Sequence, residues 1–250
     1  MAAFDRVAVE IQSGFALVTL NRPESLNAFD RPMCDDLIEA LQQVTSSHHV
    51  RVIILTGAGR AFCAGADLKV LGTDGDALVA AGKEIALLLR GAGQPVIAAV
   101  NGAAAGGGAN LALACDYRVA AHSARMGQVF PRLGLGQDWG GSYFLPRLLP
   151  PSTALELVWS ARMVAAEEAL ALGLVDRVVA DGQALPEAQA LAATWAAHPP
   201  LAMRRVKEGI YQSPHRSLVE MLDWEVAQQR ELFATPEARE RLAAESTRRK

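Results

Sequence analysis

Short apolar runs and longer amphipathic ones alternate along the first half of the chain. VAVEIQ (7–12) and FALVTL (15–20) are rich in β-branched residues and partly alternate, and Ser13-Gly14 between them predicts a hairpin turn. After the loop NRPESLNAF, the residues Met33, Leu37, Ile38, Leu41 and Val44 recur at helical spacing, which predicts a helix over about 31–46. RVIILTG and QPVIAAV are continuous apolar runs, as expected of strands buried on both faces. Between them lie the loop GAGRAFCAGAD and a helix over 76–90. The loop NGAAAGGG then leads into the apolar helix ANLALAC, and DYRVAA reads as another strand. Strands alternating with helices predict parallel crossover units, hence an α/β fold.

From Trp139 onward the periodicity is almost wholly helical. WGGSYFLPRLL, ALELVWS, AAEEALALG, the stretch after Ala184 and three segments after Leu201 all read as helices, interrupted by one strand, LVDRVV. AAHPP (196–200) reads as a hinge, dividing an α/β core (1–196) from a C-terminal helical region (197–250). No internal repeat or low-complexity tract is present.

Composition narrows the function classes. The 250 residues are 51% hydrophobic, enough for one large core, and a formal net charge of −3 gives no whole-chain case for nucleic acid. Arg248, Arg249 and Lys250 read as a solvated basic tail. Cys34, Cys63 and Cys115 are odd in number and lack CxxC spacing, which predicts free buried thiols in a reducing compartment. MAAFDRVAVEIQSG has no apolar core of signal-peptide type, and glycines and asparagines interrupt the most apolar stretch, 96–114. A soluble, cytoplasmic protein without membrane association is therefore expected. Five scattered histidines show no metal-ligand spacing, so no metal is expected.

Three glycine-rich segments carry the candidate chemistry. In NGAAAGGGAN, consecutive glycines lower helix stability by roughly 1 kcal/mol each relative to alanine, so they need a reason. Close helix–strand packing is one; access of a ligand to N–H donors at a helix N-terminus is another. Neither this segment nor GAGRAFCAG has the spacing of a dinucleotide or P-loop motif. In FCAGADLK, Asp67 reads as a helix cap, and Lys69 as plain surface or as a cation for a ligand phosphate. In GLGQDWGGSYFLPRLL, Asp138 stands alone in an apolar stretch beside Trp139. It reads as a helix cap or as a proton-transfer group whose charge is costly to bury. The first two loops follow successive buried strands, which places them at one sheet edge, where parallel sheets bind ligands.

RPE-x-x-NAF, AFCAGADLK, PVIAAVNGAAAGGGANLALACDYRVAA and GLGQDWGGSYFLPRLL, in this order and with a helical tail, resemble the enoyl-CoA hydratase/isomerase (crotonase) superfamily over nearly the whole chain. The resemblance implies a ββα spiral core with a C-terminal helical trimerisation region, and a homotrimer or dimer of trimers. It also implies an acyl-CoA thioester as substrate, with coenzyme A as part of that substrate and no separate cofactor. The oxyanion hole falls on the N–H groups of Ala66 and Gly107. Donors of this kind lower a barrier by about 3–4 kcal/mol each. Leu26, Ala28, Ala64, Asp67 and Leu68 match positions that line the CoA channel; Lys69, Gly106, Asn110, Phe130 and Trp139 complete the expected binding set.

Departures from the family pattern select among reactions. Family hydratases carry two glutamates, which fall here on Asn110 and Phe130, and neither side chain can act as a general base. Asp138 sits where two branches of the family carry a working aspartate. One comprises the phenylacetate-pathway epoxide isomerases and Δ3,Δ2-enoyl-CoA isomerases, whose segment runs K-L-G-L-x-P-D-x-G-G. The other is 4-chlorobenzoyl-CoA dehalogenase, which also needs a histidine where KEIALLLRGAG has none. The resemblance therefore implies an isomerase with Asp138 as acid/base. A hydratase using Asp138 alone to direct water, or a non-catalytic CoA-ester binder or scaffold, are the alternatives.

Overall fold

The computed structural model describes residues 4–12 and 14–248. Two elements of the sequence reading, the Ser13 turn position and the end of the basic tail, lie outside them. β1 (Val7–Gln12) and β2 (Phe15–Leu20) form the expected antiparallel hairpin, in register from Val7 opposite Leu20 to Gln12 opposite Phe15. α1 (Arg31–Ser46) starts at Asp30, whose carboxylate accepts the Met33 N–H at 3.0 Å, a cap contributing about 1 kcal/mol. Its buried face is Met33, Cys34, Leu37, Ala40, Leu41 and Val44; of the residues in the predicted stripe, Ile38 is only partly buried.

The chain then repeats one unit. β3 (Val52–Gly57) is followed by β4 (Ala61–Cys63) and α2 (Leu68–Gly91). β5 (Val96–Val100) is followed by β6 (Ala103–Ala105) and α3 (Gly107–Ala114). β7 (Tyr117–Ala121) and β8 (Arg125–Gly127) precede a 3-10 turn at Phe130–Leu133 and α4 (Gly141–Leu148). Long first strands build one sheet and short second strands build another, so each β–β–α unit turns a corner and the chain spirals. α5 (Pro151–Ser160), β9 (Met163–Ala165), α6 (Ala166–Leu172) and β10 (Arg177–Val179) complete the core.

The first sheet runs β1-β2-β3-β5-β7-β10, parallel apart from the β1–β2 pair; the second runs β4-β6-β8-β9. Asparagines hold the corners between them. Asn27 Nδ2 donates to the Ala58 and Ala61 carbonyls at 2.9 and 2.8 Å, and Asn101 Nδ2 to the Gly59 carbonyl at 3.0 Å. α7 (Ala184–Ala196) packs across β3, β5 and β7 with Ala184, Ala188, Ala192 and Ala196 buried.

The second sheet corrects the sequence reading: AFC, AAA, RMG and MVA lie in stretches taken there as loops or left unassigned. α2 also begins at Leu68 rather than at residue 76, because Asp67 caps it by accepting the Lys69 N–H at 3.1 Å. α3 starts at Gly107, inside the glycine run.

Beyond residue 197 the chain is helical: α8 (Pro200–Gln212), α9 (Leu218–Ala234) and α10 (Pro236–Arg248). α8 is tied to the core through Lys207. Its ammonium lies 2.7 Å from Asp116 and donates to the Leu89 and Gln94 carbonyls. No helix among the described residues is long and apolar enough to cross a membrane.

Candidate active site

β4 and β6 are parallel neighbours, so the loops leaving them toward α2 and α3 run side by side. A Cβ placed on Gly65 (φ +90°) would lie 2.7 Å from the Ala105 carbonyl oxygen and 3.6 Å from Gly107 N, which measures how closely they approach. The expected sheet edge is therefore that of the second sheet. The N–H groups of Ala66 and Gly107 donate to no acceptor among the described residues. Gly107 is the first residue of α3, where an N–H has no partner within the helix. The triple glycine has two explanations at once. Gly106 takes φ +53°, and a Cβ on Gly108 would lie 2.2 Å from the Cys63 carbonyl oxygen, so α3 packs tightly on β4 while exposing its first donor.

A cavity of about 610 Å³ opens in front of these donors. Of the residues singled out in the sequence, Ala28, Ala64, Ala66, Asp67, Leu68, Lys69, Gly106, Gly107, Phe130, Asp138 and Trp139 line it; Leu26 and Asn110 lie outside its lining. Leu26 ends the 3-10 turn at Pro23–Ser25 with φ 52°, and its carbonyl accepts the Ala64 N–H at 3.0 Å, bracing the CAGAD loop from behind. Asn110 is fully buried. Its Nδ2 donates to Gln137 Oε1 at 3.2 Å and to the Asp138 carbonyl at 2.9 Å, and its Oδ1 accepts from Gln128 Nε2 at 3.0 Å. It holds the segment that carries Asp138.

Three carboxylates line the cavity, and their environments differ. The Glu24 side chain is 70% exposed at the rim. Asp67 caps α2 and pairs with Arg22 at 3.3 Å; the Lys69 N–H, followed by Arg22, holds its carboxyl below the usual carboxylate range. Asp138 is half-buried, its Oδ1 has no hydrogen-bond partner, and desolvation pushes its pKa up to about 6. The helix-cap alternative for Asp138 is not realised: Gly140 occupies the N-cap of α4, with no side-chain cap.

Trp139 fixes the approach to Asp138. It has a backbone φ of 47°, a conformation costing about 1–3 kcal/mol at a non-glycine residue. Its indole stacks on Phe29 with centroids 4.1 Å apart, and it fills space that a Cβ on Gly82 would enter. Sequence reasoning assigned no role to Phe29, Gly82, Gln128 or Gln137. Phe29 and Gln137 lie inside the motifs it used, but their contacts join distant parts of the chain.

Leu71, Leu78 and Val79 of α2 also line the cavity, and among the described residues none after Met163 does. Cys34, Cys63 and Cys115 are free and buried, and burial raises all three thiols. Among the described residues, no group of three or more His, Cys, Asp or Glu is arranged to hold a metal ion.

This fold and this site place the chain in a family of acyl-transforming enzymes rather than among nucleotide-binding α/β proteins. The profile described as enoyl-CoA hydratase/isomerase matches residues 10–250, and the chain belongs to that family. It is 36% identical to the 1,2-epoxyphenylacetyl-CoA isomerase of Escherichia coli K12, over 94% of this chain and 92% of that protein. It is 32% identical to the crotonyl-CoA hydratase of Syntrophomonas wolfei, over 99% and 97%. The crystal structure of an enoyl-CoA hydratase from Bacillus anthracis superposes with a TM-score of 0.93 at 34% identity, covering 98% of this chain and 97% of that one. The relatives thus carry both hydratase and isomerase names.

Proposed function

We propose that the protein is an acyl-CoA isomerase that moves a double bond, or opens a ring epoxide, with Asp138 as its acid/base. The observation that carries this reading is the inequality of the three cavity carboxylates. Asp138 alone combines a raised pKa of about 6 with a free oxygen. A base poised near neutral pH abstracts a proton most effectively while still returning it.

The thioester oxygen of the substrate sits between the Ala66 and Gly107 N–H groups, which stabilise the enolate-like charge as it develops. The carboxylate of Asp138 removes a proton from the γ- or α-carbon, and the resulting acid gives it to the other end of the allylic system. Phe130 and Trp139, both buried, keep water from that intermediate. Lys69 and Asp67, with Ala28, Ala64, Leu68 and Gly106, receive the CoA moiety. Coenzyme A enters as part of the substrate, and no metal or separate cofactor takes part. The protomers associate as trimers or paired trimers through the C-terminal helices.

A hydratase with Asp138 directing water is the alternative, supported by the hydratase names among relatives. Asn110 bears only on a two-residue hydratase: both ends of its amide are bonded to protein partners, so Asp138 would have to position the water alone.

The Asp138→Asn variant tests the assignment. It is expected to lose at least a hundredfold in isomerase kcat on 3-enoyl-CoA esters, while CoA-ester binding measured by calorimetry stays within a few-fold. Unchanged turnover would overturn the role of Asp138. Formation of 3-hydroxyacyl-CoA from crotonyl-CoA at the isomerase rate would favour the hydratase.

A further inference from the structure

Gln128 is the first residue after β8 and is 5% exposed. Its place is fixed by its neighbour, because Gly127 pairs with Ala105 of β6 and with Met163 of β9. No step of the proposed reaction uses it. A buried amide loses its hydration and must recover it from protein partners. Gln128 recovers little: among the described residues its Oε1 has no hydrogen-bond partner, and its Nε2 makes one bond, to Asn110 Oδ1 at 3.0 Å. Methionine would fill the same space without that cost, so this one bond is what the glutamine contributes.

The bond decides which way the Asn110 amide faces. The two ends of an asparagine amide are nearly equal in shape and opposite in hydrogen-bonding character. With Oδ1 held by the Gln128 donor, Nδ2 faces the Asp138 carbonyl at 2.9 Å and Gln137 Oε1 at 3.2 Å. The Asp138 carbonyl also accepts the Gly141 N–H at 2.9 Å, so two donors hold the peptide between Asp138 and Trp139. That peptide leads into the φ of 47° at Trp139, a conformation that its surroundings must impose. One residue before Gln128, the Gly127 carbonyl accepts the Gly106 N–H at 2.8 Å and secures the turn that presents the Gly107 donor. Gly127 and Gln128 thus reach both halves of the site from one strand end.

We propose that Gln128 is a positioning residue: by turning the donor end of Asn110 toward the Asp138 carbonyl, it holds the Asp138 carboxylate in register with the Ala66 and Gly107 N–H groups. The inference rests on the acid/base reading of Asp138 and extends it to a residue outside the cavity lining. Because Gln128 does not line the cavity, its loss lowers kcat and leaves KM nearly unchanged. Misplacing a reacting group by about 1 Å can cost about a hundredfold in rate, and a loosened Asn110 moves Asp138 by less, so a loss of about fivefold to twentyfold is expected.

The experiment is a double-mutant cycle in the turnover of a 3-enoyl-CoA ester, with Gln128→Met and Asn110→Leu. Gln128→Met alone is expected to show that fall in kcat with KM within about twofold of the wild type. The double variant is expected to match Asn110→Leu within about twofold, because Gln128 has no route to Asp138 once the Asn110 amide is gone. Losses that multiply in the double variant, an unchanged kcat in Gln128→Met, or a KM that rises as far as kcat falls overturn the proposal. Gln128→Asn, which retracts the amide by one methylene, carries the same comparison if the methionine variant does not fold; CoA-ester binding by calorimetry reports folding in each. Asp138→Asn is assayed alongside. Wild-type turnover in that variant overturns the acid/base reading and this inference with it, whereas an inactive Asp138→Asn beside multiplying losses in the cycle overturns this inference alone.

Discussion

In the proposed reaction, Asp138 serves both stability and chemistry. Burial raises its pKa from 3.8 to about 6, so folding favours the protonated acid. The stabilisation is complete below about pH 4, where both folded and unfolded chains carry the proton. It is lost as pH rises through about 6. At pH 7.5 the folded protein holds an ionised, partly desolvated carboxylate that the unfolded chain would ionise at no cost. Asp138→Asn is therefore expected to raise unfolding free energy at pH 7.5 by about 1–2 kcal/mol, after discounting for residual solvent contact, and by almost nothing at pH 4. Urea titrations at the two pH values check this. In the wild type, kcat/KM is expected to fall about tenfold per unit below pH 6 as the base is protonated. Asn110 gives a separate test. Asn110→Asp sets a carboxylate where an amide now donates to the Asp138 carbonyl. Like charge nearby should raise the Asp138 pKa further, so the acid limb of the pH–rate profile moves up and kcat falls more than KM rises. A purely structural role would lower activity without moving that limb. Asp138 was legible in the sequence because a lone carboxylate among glycines and aromatics is conspicuous. The amide bonds of Asn110 and the stacking of Trp139 on Phe29 were not, since no local pattern records them.

At the scale of elements, residues whose environment repeats along the chain were readable. The long strands β3 and β5 are continuous apolar runs, and α1 carries its stripe at the proper spacing. The second sheet was not, because strands of three residues are too short to show a period of two, and β6 is three alanines. Gly72 and Gly75 also hid the first two turns of α2. The structure separates glycines that are dispensable from those that are not. A Cβ at Gly72 would meet nothing within 4 Å, so Gly72→Ala is expected to stabilise α2 by about 0.5–1 kcal/mol. The same change at Gly108 drives a Cβ against the Cys63 carbonyl and must push α3 off β4. Gly108→Ala is expected to cost about 1–3 kcal/mol and, by moving the Gly107 N–H, to lower kcat as well. Denaturation midpoints and turnover measured on the two variants give opposite signs if this account holds. Destabilisation by Gly72→Ala would overturn this reading of α2.

On the scale of the whole molecule, every described residue lining the cavity at Ala66 and Gly107 lies between Glu24 and Met163, while the last three helices lie outside it. Those helices expose apolar surface that one chain does not cover. Leu218, Leu222 and Val226 follow one another at four-residue intervals on α9, each at least half exposed, and Phe233 is 58% exposed further along the helix. Isolated exposed leucines need no explanation, but a continuous stripe on one helix face marks a contact with another protein surface. The proposed trimer supplies that surface, with the ion pair of Lys207 and Asp116 holding α8 to the core so that α9 is presented in a fixed position. The double change Leu222→Asp, Val226→Asp places two desolvated carboxylates in such an interface and is expected to convert a trimer or hexamer into a species of about one chain mass in light scattering. Because the cavity is built from the core alone, that species should still bind an acyl-CoA ester within a few-fold of the parent affinity. An assembly unchanged by both aspartates would remove α9 from the interface, and a parent protein that is monomeric at micromolar concentration would leave the stripe to a different partner.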